Sequence, residues 1–192
     1  MGVNGITKAE SFNYLRTSII IKIHNMNNLN EKQKVKITSA LSHGEAVLDS
    51  PLWATKITKA VFTESNGYTG AQIVNLIRSG SHDGGEADEV LDINIEGFYR
   101  RSNIVGYTFL GSLTQWINRR FLDNYGEADI FHHVMHETMH RSFRFRHTKI
   151  HSTSVPYLVG KLSGIAFKEF YSRPHSQLFN FIVTNPVFEF VS

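Results

Sequence analysis

The chain has 192 residues, of which 41% are hydrophobic, 19% charged and 12% aromatic. That is enough apolar material for one domain with a real core, and too much for a disordered chain. Cysteine is absent, which excludes disulfides and cysteine-ligated zinc, and the net charge is only +3. The basic residues are scattered, which argues against nucleic acid as the main partner.

Residues Met1 to Arg16 mix Asn, Lys, Glu and Ser without the apolar run of a signal peptide. The run Ser18-Ile19-Ile20-Ile21 is broken by Lys22 and His24 and is far too short to span a bilayer. No membrane segment is expected, and a cytoplasmic location is the default. Asn30 ahead of Val35, Ile37, Ala40 and Leu41 predicts a first helix. Asp49-Ser50-Pro51 ends it and starts a second, through Leu52, Ile57, Ala60 and Val61. Thr69 is placed to cap a third, containing Ile73, Leu76 and Ile77. Ser79 to Glu89 holds three glycines and four acidic residues. It lacks the ligand spacing of an EF-hand and reads as a solvated loop rather than a calcium site.

Strand character follows. Leu91 to Glu96 alternates apolar and polar residues, and Asn103 to Phe109 and Leu113 to Asn118 are two further β-rich runs. Leu110-Gly111-Ser112 between them suits a hairpin turn. A helix is predicted from Glu127 to about Phe143, with Glu127 and Asp129 at its positive end. After a loop over 146–156, another runs from Tyr157 to Phe170. The apolar tail Leu178 to Val191, interrupted by Pro186, is expected to pack on the core. The expectation is an α+β fold in a single domain over 1–192. Residues 1–80 are mainly helical, and 90–192 carry a small, mainly antiparallel sheet, a site helix and a C-terminal helix.

The chemistry is concentrated in His136-Glu137-Thr138-Met139-His140. Histidines four apart share one face of a helix, about one turn from each other. Two such rings can share one tetrahedral zinc ion at roughly 2.0–2.1 Å each. Glu137, rotated by about 100°, can reach a zinc-bound water without occupying a metal position, which is where a general base is needed. Ile130, Phe131, Val134, Met135, Met139 and Phe143 give the helix an apolar face to bury. Candidates for a third ligand are His147, His151 and Glu169. The spacing favours His147, seven residues past His140 and just beyond the helix end. Glu169 lies twenty-nine past His140 on a second helix, an arrangement of thermolysin-like enzymes, and His151 is intermediate. His132 and His133 lie near the metal-facing side, as supports for the ligands or as surface residues.

His136-Glu137-x-x-His140, six residues, then His147 resembles a relaxed form of the metzincin zinc signature HExxHxxGxxH. Phe143 stands where that signature has glycine, the gap is one residue longer, and Val155 replaces the methionine of the Met-turn. With Ile104-Val105-Gly106-Tyr107-Thr108, Trp116-Ile117-Asn118-Arg119-Arg120-Phe121 and Ser154-Val155-Pro156-Tyr157, roughly residues 90 to 165 are similar to small zincin-like proteins of bacteria and their phages. The resemblance implies a zincin-like fold with one zinc per chain and a protein or peptide substrate. It also implies a role for Tyr157, donating to the oxyanion or covering the zinc. The hairpin Tyr107 to Ile117 would supply a cleft-edge strand for an extended peptide. Three other readings are a zinc-binding scaffold without catalysis, a zinc amidase acting on cell-wall peptides, and a DNA-associated module using Arg141, Arg144, Arg146 and Lys149. That basic cluster reads more simply as a rim of the metal cleft, and a purely structural site has no use for Glu137.

Overall fold

A computed structural model describes residues 18–80 and 87–173. Within them lie β1 (Ile20–Asn27), α1 (Glu31–Asp49), α2 (Pro51–Thr58), α3 (Gly70–Arg78), β2 (Val90–Phe98), β3 (Gly106–Thr108), β4 (Thr114–Asn118), α4 (Arg119–Leu122), α5 (Glu127–Arg141) and α6 (Val155–Ser172). A short 3-10 turn, His151–Thr153, precedes α6. The fold is α+β, with six helices and one four-stranded sheet among the described residues. The apolar tail and most of the acidic loop after Ser79 lie outside them.

The helix starts follow local capping chemistry. The Asn30 side chain accepts from the Gln33 N–H (2.9 Å), and the Gln33 side chain accepts from the Asn30 N–H (3.2 Å). Thr69 and Gln72 repeat this reciprocal cap at α3. Ser50 caps α2, whose first residue is Pro51.

The sheet corrects the sequence reading in two ways. Its order is β1-β2-β4-β3, so a strand, β1, precedes the N-terminal helices. Its pairing is parallel between β1 and β2 and between β2 and β4, and antiparallel only between β3 and β4. The sheet is therefore mixed and largely parallel, not mainly antiparallel. The hairpin is written in local turn residues, with Gly111 at φ +78°. The parallel pairs are made across long connections, with α1, α2 and α3 lying between β1 and β2. At the start of β1, the N–H groups of Ile19, just before the strand, and of Ile21 donate to Asp49 (3.3 Å) and Glu45 (2.7 Å) of α1.

One apolar core serves both halves of the chain. Ile37 and Leu41 of α1, Trp53 of α2, Ile73 of α3, Leu91 and Ile93 of β2, Phe131 and Met135 of α5, and Val159 of α6 are all buried in it. The Trp53 indole N–H donates to Ser163 Oγ at 2.9 Å, joining α2 to α6. The helices before residue 80 thus pack into the same core that carries α5. No described helix is long and apolar enough to cross a membrane.

Candidate metal centre

The azimuth of α5 is set by a polar tie inside the core. Thr138 Oγ1 donates to the Val134 carbonyl (2.8 Å) and accepts from Gln115 Nε2 of β4 (2.9 Å). With Thr138 held toward the sheet, His136 and His140 face away from it. There α6 comes close at Gly160, where a Cβ would sit 2.8 Å from both the His132 carbonyl oxygen and His136 Cβ.

The chain then turns back without a glycine at position 143. Arg144 takes the left-handed conformation (φ 52°), and the Phe145 N–H donates to the Met139 carbonyl at 3.0 Å. Phe145 is buried, and its ring meets Tyr68 edge-on at 5.7 Å between centroids. Farther along, the Thr63 N–H donates to the Thr153 carbonyl (2.9 Å), and the two threonine hydroxyls are hydrogen-bonded to each other. The segment linking α2 to α3 therefore buttresses the loop after α5, and that loop delivers His147.

His136, His140 and His147 offer ligand nitrogens that all lie within 4.8 Å of one another. Nε2 of His140 and Nε2 of His147 are 3.1 Å apart. Three nitrogens at 2.0–2.1 Å from one tetrahedral ion lie about 3.3 Å from each other, so the cluster fits. The outer hydrogen bonds assign the tautomers. His140 Nδ1 donates to the Phe145 carbonyl at 2.6 Å. The Ser154 hydroxyl spends its proton on the His151 carbonyl (2.8 Å), so Ser154 Oγ accepts from His147 Nδ1 (3.3 Å). Both Nε2 atoms then carry lone pairs aimed at each other, an arrangement that a cation between them relieves.

The electrostatics agree. Burial, and then the positive forms of His140, His133, His147 and His132, push His136 down to about 2. Burial, then His140 and His151, push His147 down to about 4. Burial lowers His140 as well, against the opposing Phe145 carbonyl. The three rings are neutral near pH 7, the form that ligates metal.

Glu137 is 4% exposed, and burial alone pushes its carboxyl up to about 8; a cation among the histidines acts in the opposite sense. Together with His136 it opens on a cleft of about 330 Å³. Val105 and Gly106 at the sheet edge form one wall, His132 and His133 line it along α5, and Tyr125 and Tyr157 flank it. The Tyr157 ring lies 6.3 Å from that of His136. Tyr125 is raised by burial and then by Asp129.

Of the residues singled out in the sequence, His136, Glu137, His140, His147 and Tyr157 are brought together. His151 stacks on His147 (4.9 Å, 14°) but is not one of the three clustered ligands. Glu169 is held by Lys56 at 2.8 Å and is not in the cluster. Arg144, Arg146 and Lys149, expected as a rim of the cleft, are exposed on the segment that carries His147. Arg141 is not part of that rim. It is 2% exposed and donates to Ser142 Oγ and the Leu113 carbonyl, and burial pulls it down to about 10 against Asp92. Sequence reasoning missed Ser154, the Phe145 carbonyl and the closeness of Gly106 to α5. The chain matches no protein-family model, no curated protein and no solved structure.

Proposed function

We propose that this chain is a zinc-dependent hydrolase of peptide bonds, zincin-like in fold and metzincin-like in its three-histidine ligand set. The observation that carries the reading is the convergence of His136, His140 and His147 beside the buried carboxylate of Glu137, on the helix that carries the first two. His136, His140 and His147 would hold the ion, which when bound supplies Lewis acidity and lowers the pKa of a water toward ~7. Glu137 takes a proton from the attacking water and returns it to the leaving nitrogen. The Tyr157 hydroxyl, on the cleft wall, donates to the developing oxyanion.

The sheet edge supports a peptide substrate. The Asn118 N–H reaches the Val105 carbonyl at 2.7 Å. In an antiparallel ladder the bonding directions alternate, so Gly106 and Thr108 turn their N–H and C=O groups outward. An extended peptide can pair there, along the wall of the cleft that holds Glu137.

The test is metal content by elemental analysis, with peptide-library turnover, for wild type, His147→Ala, Glu169→Ala and Glu137→Gln. About one zinc per chain, lost in His147→Ala and kept in Glu169→Ala, together with turnover abolished in Glu137→Gln, is the expected result. Zinc retained by His147→Ala would overturn the ligand set. Zinc without turnover on any peptide would leave a binding scaffold.

A further inference from the structure

Glu137 is buried, and among the described residues it makes one contact of ion-pair range and no closer hydrogen bond. That contact is to His133, four residues earlier on the same face of α5, with Nδ1 at 3.8 Å from Glu137 Oε1. His133 is itself 8% exposed and does not belong to the metal-ligand cluster. Its buried Nε2 makes no hydrogen bond of ordinary geometry among the described residues, and the backbone acceptor that faces the ring is the Trp116 carbonyl of β4. The ring is wedged beneath the sheet edge. A Cβ on Gly106 would come within 2.2 Å of Nε2 and 2.4 Å of the Trp116 carbonyl oxygen, so only a glycine lets β3 lie this close to it.

A general base must hold one carboxylate oxygen toward the water that it deprotonates. Glutamate has three side-chain torsions, and a buried carboxylate with no partner has little to fix them. We infer that His133 is a positioning residue for Glu137: its Nδ1 engages Oε1 and leaves Oε2 for the water. This rests on the hydrolase reading above. Closing the gap from 3.8 Å to a hydrogen bond takes about 1 Å, and catalytic hydrogen bonds are often long before substrate binds. Because Gly106 lies on the opposite side of the ring, His133 also joins the edge proposed to take the peptide to the base that acts on it.

The two ring nitrogens can be tested separately. The amide of His133→Asn falls near the Nδ1 position, that of His133→Gln near Nε2, and His133→Phe keeps the bulk with neither. All three variants are expected to keep one zinc per chain. kcat should fall about 10- to 100-fold in the Gln and Phe variants, with KM little changed, and recover largely in Asn. A Phe variant with wild-type kcat, an Asn variant no better than Gln, or loss of zinc from Asn would each overturn the inference. Should the Phe variant fail to fold, the comparison of Asn with Gln decides alone. Wild type without zinc or turnover would sink the hydrolase reading and this role with it. Wild type active with an equally active Phe variant would sink only the role of His133.

Discussion

Replacing Ser154 by alanine removes the group that orients His147 while leaving all three proposed ligands in place. Ser154 is completely buried, and its N–H still reaches the His151 carbonyl at 3.2 Å after the hydroxyl is gone, so the turn into α6 keeps a backbone anchor. What is lost is the acceptor for His147 Nδ1. The ring is then free to rotate and to exchange tautomers, and both compete with ligation. Outer hydrogen bonds of this kind are worth about 10- to 100-fold in metal affinity. At 3.3 Å this one is long and joins neutral groups, so the low end applies: about tenfold, or ~1.4 kcal/mol. The assay is zinc competition against a chromogenic chelator at pH 7. Ser163→Ala is the control: it is an equally buried serine, within the helix that Ser154 precedes, bonded to Trp53 and outside the histidine cluster. It should cost about 1–3 kcal/mol of stability by leaving the indole N–H unpaired, with zinc affinity unchanged. An affinity for Ser154→Ala within threefold of wild type, or an equal loss in Ser163→Ala, would refute the reasoning.

Glu137→Gln should keep its zinc and lose about 10²- to 10⁴-fold in kcat, read by elemental analysis beside steady-state kinetics. Thr108→Pro removes an outward N–H from the sheet edge, so KM for extended peptides should rise several-fold while kcat changes little. Gly160→Ala presses a methyl group against the His132 carbonyl and His136 Cβ, and should cost about 1–3 kcal/mol in chemical denaturation together with weaker zinc binding.

The sequence made α5 legible because three signals coincide there: acidic residues in the first turn, an apolar face, and histidines one turn apart. The caps at Asn30 and Thr69 were legible for the same local reason. β1 was not. Its Ile19-Ile20-Ile21 run gives way to Lys22, His24 and Asn25, and only Ile21 within the strand is fully buried, so the alternation that marks β2 is weak. Nor does any local feature announce that three helices intervene before its partner strand. The two nearer proposed ligands follow from the spacing, but bringing His147 to them depends on a turn that sequence does not write. An arginine in the left-handed region is uncommon, and here Arg144 makes the bend expected of a glycine at position 143. The hydrogen bond between His147 and Ser154 is invisible until the loop is folded, and so is the pairing of Glu169 with Lys56, apart from the histidine cluster.

The contacts of Thr63 with Thr153 and of Tyr68 with Phe145 carry a consequence for how the protein can be divided. His136 and His140 come from a helix, but His147 stands on a loop braced by residues some eighty positions earlier in the chain. A fragment beginning near residue 90 would therefore retain His136 and His140 and lose the abutment of His147, the proposed third ligand. The same brace runs in reverse. An ion that stiffens the His147 loop should slow hydrogen exchange at the Thr63 amide, so a residue with no part in ligation can report on occupancy of the centre.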